Sequence, residues 1–411
     1  MRMRPFGRLL PLATAQARTW RSVRPVHRTI DLPLADALGR VAARSIRSPR
    51  DVPEFVRATW DGYALRSRDT ARASERSPVT LHVVGDVFAE GRFHRALRPG
   101  EAVAVATGGA LPHGTDTVAI FEESNFSDGT IQLTRPRRPG ERVASPGADF
   151  PKGRRLVRAG EVLDPAALGA LGAIGRSNVR VLQRPRVGLL PNGNELLPIG
   201  ARRRRGAIYE INNLTLGTIV TAAGCEPRPM AAVGDDEAAL TRAIRRGVAE
   251  NDLLVVTGGS SVGEHDFLPS IFPRLGRLLF HGIAVRPGKP TLAAVVDGRL
   301  VLGMPGHPTS CLANGFWLLL PALRRLAGRT GTGWSPAVVR VASELPIPNA
   351  EMSTVVPLHV ERGSARPTFR DSSAITSLSG ANAFVILPPG SPKVSAGRAI
   401  EVQLLGGALA G

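Results

Sequence analysis

The stretch Asp252–Cys311 begins DLLVVTGGSSVGEHDF, continues through HGIAVRPGKPT and ends in LVLGMPGHPTS. Its three apolar runs, Leu253–Val256, Ile283–Val285 and Leu300–Leu302, read as buried strands. Each leads into a turn-rich loop: Gly258-Gly259-Ser260-Ser261-Val262-Gly263, Arg286-Pro287-Gly288-Lys289-Pro290 and Gly303-Met304-Pro305-Gly306-His307-Pro308. In an open α/β sheet, ligands bind outside the carboxyl ends of the strands. Glycine there lets backbone N–H groups approach an anion, while Ser, Arg and Lys add donors. The array is therefore read as a phosphate or oxyanion cradle. Its candidate binding residues are Gly258, Gly259, Ser260, Ser261, Gly263, Arg286, Gly288, Lys289, Pro305, Gly306, His307 and Ser310.

Around this stretch, Arg186 to about Gly328 alternates strand and helix patterns. Val187–Leu190 reads as a strand, Asn213–Ala223 as a helix ending at Gly224, and Asp236–Gly247 as a second helix before Leu253–Val256. That alternation predicts a doubly wound parallel sheet. Gly331–Leu405 returns to short strands such as Val338–Val341 and Ile400–Leu404, which predicts a small terminal β domain. Asp51 to about Arg138 is strand-rich and punctuated by glycine, like another small β domain. His27–Arg47 reads as a short strand and then a helix, with apolar residues at Leu34, Ala37, Leu38, Val41 and Ala42. A further helix is expected at Pro165–Ile174, with Asp164 as its N-cap.

At 411 residues the chain exceeds one ordinary core, so several domains are expected. The 45 Gly and 34 Pro residues suit many strands with short connections. Cys225 and Cys311 lie in different motifs without metal-ligand spacing, which argues against a disulfide framework and permits a cytoplasmic location. The longest apolar run, Phe316–Leu323, is interrupted by Pro321 and reads as a buried helix, so no membrane span is expected. The net charge is +19, but the positive charge is mostly dispersed arginine and aromatics make only 5% of the chain. A basic stripe interleaved with stacking rings is missing, which argues against specific nucleic-acid binding. The stretch MRMRPFGRLLPLATAQARTWRSVR has no acidic residue. It is read as an N-terminal helix packing on its own domain, in preference to a transit peptide.

The three loops, in this order, resemble molybdopterin molybdenumtransferase, the MoeA and gephyrin E-domain family. DVPEFVRATWDGYAL (51–65), VATGGALPHGTDTVAIFEE (105–123), GADFPKG (147–153), PRVGLLPNGNEL (185–196) and GAIYEIN (206–212) follow in family order. The resemblance covers roughly residues 25 to 405. It implies an α/β multidomain protein: a MogA-like doubly wound domain (184–330), a discontinuous helical domain (1–48 and 139–183), an inserted β domain (49–138) and a C-terminal β domain (331–411). It implies an enzyme that binds adenylylated molybdopterin, cleaves its phosphoanhydride, inserts molybdate into the dithiolene and releases AMP. The resemblance further implies Mg²⁺, a homodimer, and partners among molybdopterin adenylyltransferases and molybdoenzymes.

Mg²⁺ usually takes only one or two carboxylates plus phosphate oxygens. Asp235 in VGDDEAAL and Asp266 in GEHDF adjoin predicted strand ends and match the family's acidic positions. Asp235 or Asp236 would also serve as a helix cap, and the sequence does not choose between them. Asp61, Thr107, Asp149 and Glu195 match further catalytic positions. The resemblance implies that the loops of Asp61, Thr107 and Asp149 face the crevice of a partner subunit. Four positions depart from the family pattern: Asn192 replaces threonine, Asn194 aspartate, Arg286 lysine and His307 asparagine. His265 and His281 are too isolated for a metal cluster, and Arg202–Arg205 reads as a solvated run beside GAIYEIN. Three other readings compete: insertion of tungstate, adenylylation of molybdopterin, and a scaffold without catalysis. The extra β domains disfavour the second, and the acidic positions with PGKP disfavour the third.

Overall fold

The computed structural model describes residues 6–88, 91–261, 263, 266–346, 349–369 and 374–405. Val262 and His265 lie outside them. Two compact units alternate along the sequence: residues 1–44, 159–164 and 178–411 form one, and 45–158 with 165–177 form the other.

The first unit contains a six-stranded sheet. Its order is Glu226–Pro229, Arg186–Pro191, Leu253–Thr257, Arg299–Met304, Leu292–Val296, Arg277–His281. The first three pairings are parallel and the last two antiparallel, so only Leu292–Val296 runs against the others and the expected parallel sheet has a mixed edge. Leu253 and Val255 pack with Leu216 and Ile219 of helix Asn212–Ala222 and with Leu12 and Ala15 of helix Leu12–Ser22. Leu254 and Val256 pack on the other face with Leu240 and Ile244 of helix Glu237–Glu250 and with Ile271 and Phe272. Burial on both faces is why these strands read as unbroken apolar runs. The run Phe316–Leu323 is helical and mostly buried, as expected.

One expected strand of the cradle belongs elsewhere. Ile283–Arg286 joins a seven-stranded sheet with Leu10–Pro11 and the C-terminal strands, pairing in parallel with Ser353–Glu361 through Val285 and Arg286. The chain folds back just before it: Gly282 N–H donates to the Thr291 carbonyl at 2.8 Å, and Ile283 N–H to the Lys289 carbonyl at 3.0 Å. Apolar content alone cannot assign a strand to one of two sheets.

The helix expected within His27–Arg47 is also absent. Thr29–Pro33 is a strand paired with Asn178–Leu182, Leu34–Asp36 forms a single 3₁₀ turn, and Val41 and Ala42 bridge to Val162 and Val181. The apolar spacing imitates a helical face, but Gly39 at φ +70° ends the turn and Leu38 is exposed.

The second unit holds a six-stranded sheet ordered Thr117–Ile120, Gly62–Leu65, Glu101–Val105, Val79–Val87, Thr130–Leu133, Asn125–Ser127. Tyr63 and Leu65 face one core cluster and Ala64 the other, the period-2 alternation of a strand. Helix Pro165–Ala173 lies in this unit. Among the described residues no helix is long and apolar enough to cross a membrane. Both cysteines are free and buried, and burial pushes the Cys225 thiol up to about 12.

Leu302 is fully buried in a central strand of the α/β sheet. Leu302→Ala is expected to remove about 2–5 kcal/mol of stability, read from urea unfolding. A loss below roughly 0.5 kcal/mol, the surface range, would contradict a tightly packed sheet core.

Candidate active site

In the first unit, buried asparagines join the glycine loops. Asn192 N–H donates to the Thr257 carbonyl at 2.8 Å, and its Nδ2 donates to the carbonyls of Val233 (3.0 Å) and Gly234 (3.2 Å). A Cβ on Gly258 would stand 2.3 Å from the Asn192 carbonyl oxygen, and one on Gly259 2.5 Å from Asn192 Oδ1. Both glycines also have left-handed φ, +88° and +61°, so no other residue fits there without moving the loop. Gly258 N–H donates to Met304 O at 3.1 Å, which ties this loop to Pro305-Gly306-His307. Asn212 Nδ2 holds the Gly306 carbonyl at 3.0 Å.

The PGKP loop has its own asparagine. Asn314 Nδ2 donates to Thr291 Oγ1 at 2.6 Å and to Gly288 O at 3.4 Å, and Thr291 Oγ1 donates to Gly288 O at 2.6 Å. Gly288 has φ +109°, and a Cβ there would lie 2.1 Å from Asn314 Oδ1. Asn314 ends helix Pro308–Asn314, which starts at the His307 loop. Ser260 and Ser310 are buried, whereas Gly306, His307 and Arg286 are exposed. His307 precedes that helix without a side-chain cap. Burial pulls His281 below the usual imidazole range, against the opposite pull of the Ser260 and Ser261 backbone and of Asp266. The second strand thus comes from another sheet, yet its loop shares a helix with the third.

The acidic residues take distinct tasks. Asp236 accepts from Ala239 N–H and caps helix Glu237–Glu250. Asp235 is left to the loop: Asn194 Nδ2 donates to its Oδ2 at 3.0 Å, and its N–H donates to Asn194 Oδ1 at 3.2 Å. An amide fits here where an aspartate would set two carboxylates side by side. Asp266 Oδ2 accepts from Gly263 N–H at 2.7 Å. Asp235 and Asp266 therefore each keep one oxygen without a hydrogen bond to a described residue. A carboxylate oxygen left free in this way suits a hard cation that brings substrate oxygens with it. Among the described residues no cluster of three or more His, Cys, Asp or Glu side chains could hold a metal unaided. Glu195 is exposed beside Asn194. Arg202–Arg205 are exposed, as expected of a solvated run, and Arg204 Nη2 donates to the Asn194 carbonyl at 3.1 Å.

In the second unit, Thr107 N–H donates to Asp61 Oδ1 at 2.6 Å, which joins the WDGYA and TGG loops. That N–H, with the Thr107 side chain, holds the Asp61 carboxyl below the usual carboxylate range. Asp149 is exposed in its loop. The loop is organised by Asp51, whose Oδ1 accepts from Lys152 N–H at 2.7 Å. Sequence reading passed over Asp51, Asn212 and Asn314. Asn314 left one signal, a polar residue inside the apolar run CLANGFWLLL.

The division between the adjacent aspartates is testable. Asp236→Ala is expected to lose about 1 kcal/mol of stability in urea unfolding, the worth of a cap, with Mg²⁺ affinity unchanged. Asp235→Asn is expected to keep stability and weaken Mg²⁺ binding in calorimetry. The opposite pattern would exchange the two roles.

Three family models cover most of the chain: the MoeA N-terminal region (domain I and II) at residues 10–175, a probable molybdopterin binding domain at 189–325, and the MoeA C-terminal region (domain IV) at 345–405. The molybdopterin molybdenumtransferase of Bacillus subtilis (strain 168) is 33% identical over 384 residues, covering 90% of this chain and 89% of its own. That of Nostoc sp. (strain PCC 7120) is 30% identical over 380 residues, covering 90% and 87%. Two crystal structures of a molybdopterin biosynthesis MoeA protein from Pyrococcus horikoshii align with TM-scores of 0.84 and 0.86, at 37% and 28% identity. Each alignment covers 97% of this chain and at least 99% of the other. The chain belongs to the molybdopterin molybdenumtransferase family, a family of transferases.

Proposed function

We propose that the chain inserts molybdate into molybdopterin, with adenylylated molybdopterin as the form it binds. The observation that carries this reading is the set of asparagine-braced glycine loops with Lys289 and two half-free carboxylates, Asp235 and Asp266. Water adds across the phosphoanhydride, which splits into AMP and molybdopterin with its own terminal phosphate. The two dithiolene sulfurs then replace two oxo groups of molybdate, which leave as two waters; two of the four protons come from the dithiol and two from solvent. The sulfur ligands belong to the substrate, which agrees with two buried protein thiols.

The protein's task is to bind and orient anions. Backbone N–H groups of Gly259–Ser261 and the Lys289 ammonium are suited to phosphate or oxyanion oxygens. Mg²⁺, held by Asp235 and Asp266, would offset charge on the phosphoanhydride oxygens. A cytoplasmic location, a homodimer, and adenylyltransferase and molybdoenzyme partners belong to the same reading. They rest on the family resemblance alone. Molybdate and tungstate carry the same charge at nearly the same size, so both are to be assayed.

The test supplies purified protein with adenylylated molybdopterin, Mg²⁺ and either oxyanion, and follows AMP and active cofactor. Both products are expected. An adenylylated product made from molybdopterin and ATP would favour the adenylyltransferase reading instead. Asp266→Asn should keep the fold and lower turnover on the order of 100-fold, the scale of one electrostatic contribution to catalysis. Wild-type turnover would remove Asp266 from the mechanism. Lys289→Ala is expected to weaken AMP or molybdate binding by about 1.5–3 kcal/mol, the worth of a charged hydrogen bond. Inactive Asp61→Ala and Asp266→Ala chains should regain activity when mixed if they serve one site from different copies. No regain after verified subunit exchange would remove that element.

A further inference from the structure

The segment 6–11 touches the lysine loop. Leu10 and Pro11 pair in parallel with Ile283 and Ala284, and Leu10 N–H donates to the Gly282 carbonyl at 3.1 Å. Leu12 and Ala15 then enter the core, which anchors the segment. Gly282 has φ +90°, which favours glycine, and a Cβ there would stand 2.7 Å from Leu9 Cδ2 and 3.0 Å from Phe6 Cδ1. The Phe6 ring centroid lies 5.1 Å from that of His281 and 4.8 Å from Lys289 Nζ.

Lys289 is fixed at its backbone but not along its stem. Its carbonyl accepts from Ile283 N–H at 3.0 Å and from Thr291 N–H at 2.8 Å. Among the described residues its ammonium has no ion pair, whereas Lys393 Nζ lies 2.6 Å from Glu344. Of the chain's 53 Lys and Arg residues only three are lysine: Lys152, Lys289 and Lys393. A compact ammonium thus stands here in a protein that uses arginine at all but three of its basic positions, and an aromatic face is its neighbour. A carboxylate in that place would neutralise the charge. A ring face attracts the cation by its quadrupole and leaves its charge and donors for another partner.

We propose that Phe6 is a positioning residue for Lys289, holding the ammonium ready for an oxyanion or phosphate. The proposal rests on the reading of Lys289 as an anion-binding residue. The ring orients the side chain before the ligand arrives, so less rotamer freedom is lost on binding. Any role of Phe6 as a mere apolar plug over Gly282 would be met equally by leucine.

The test uses the full chain with Phe6→Leu, Phe6→Trp, Lys289→Ala and the Phe6→Leu/Lys289→Ala double variant. Molybdate and AMP are titrated separately by calorimetry. Lysine-selective ¹³C labelling gives only three side chains to follow by NMR. In the wild type the Lys289 ε-methylene protons are expected upfield of those of Lys152 and Lys393, shifted by the Phe6 ring. Phe6→Leu should abolish that shift and weaken anion binding about two- to fivefold, the scale of an exposed cation–π contact. Phe6→Trp should keep both, and Phe6→Leu should add nothing once Lys289 is alanine. Wild-type anion affinity in Phe6→Leu, with Lys289→Ala impaired, would overturn the positioning role and leave the anion-binding reading intact. Full affinity in Lys289→Ala would instead refute the anion-binding reading and the positioning role with it, even if the ring-current shift proved the contact. An unshifted ε-methylene in the wild type would overturn the proposal whatever the affinities.

Discussion

The close fit between buried asparagines and side-chain-free glycines is the constraint on which the candidate site depends. Asn192 fills the space beside Gly258 and Gly259, Asn314 the space beside Gly288, and Asn212 holds the carbonyl of Gly306. Each amide makes a hydrogen bond that a solvated loop would give to water, and each glycine permits an approach that a Cβ would block. The loops are thereby braced at Gly258, Gly259, Gly288 and Gly306. Preorganised backbone donors suit anion binding, because little ordering cost remains to be met on association. The same bracing unites a parallel sheet with a strand from a different sheet, since Asn314 and His307 bound one short helix.

Charge is arranged with equal economy. The protein carries a net charge of +19, which attracts anions of many kinds without selecting among them. A few acidic groups have defined partners. Asp236 is used up in capping, Asp235 faces the Asn194 amide, and Asp266 is held by one backbone N–H. Arg204 supports the Asn194 carbonyl, so one member of an arginine run acts on loop geometry as well as on long-range attraction.

Much of this was legible in the sequence, for identifiable reasons. Strands buried on both faces give continuous apolar runs, so Leu253–Thr257 and Arg299–Met304 were found close to their true bounds. Glycine and proline marked the loops that follow. Sheet membership was not legible for Ile283–Arg286, because partner choice is set by non-local pairing. The segment after Pro33 misled because apolar residues at helical spacing also suit a bridged, extended chain interrupted by Gly39. Asn212 and Asn314 were missed because a buried asparagine is recognised by what it braces. That is a tertiary property, although a lone polar residue in an apolar run is a usable hint. Choosing between Asp235 and Asp236 likewise required the cap geometry.

The central claim is that the braced loops form the oxyanion site. It is tested most directly by diffraction from crystals soaked in molybdate, recorded on both sides of the molybdenum absorption edge. An anomalous peak is expected within hydrogen-bond reach of the Gly259–Ser261 or Gly288–Lys289 backbone or of the Lys289 ammonium. Ordered molybdate found only among the surface arginines, with these loops empty at saturating concentration, would contradict it.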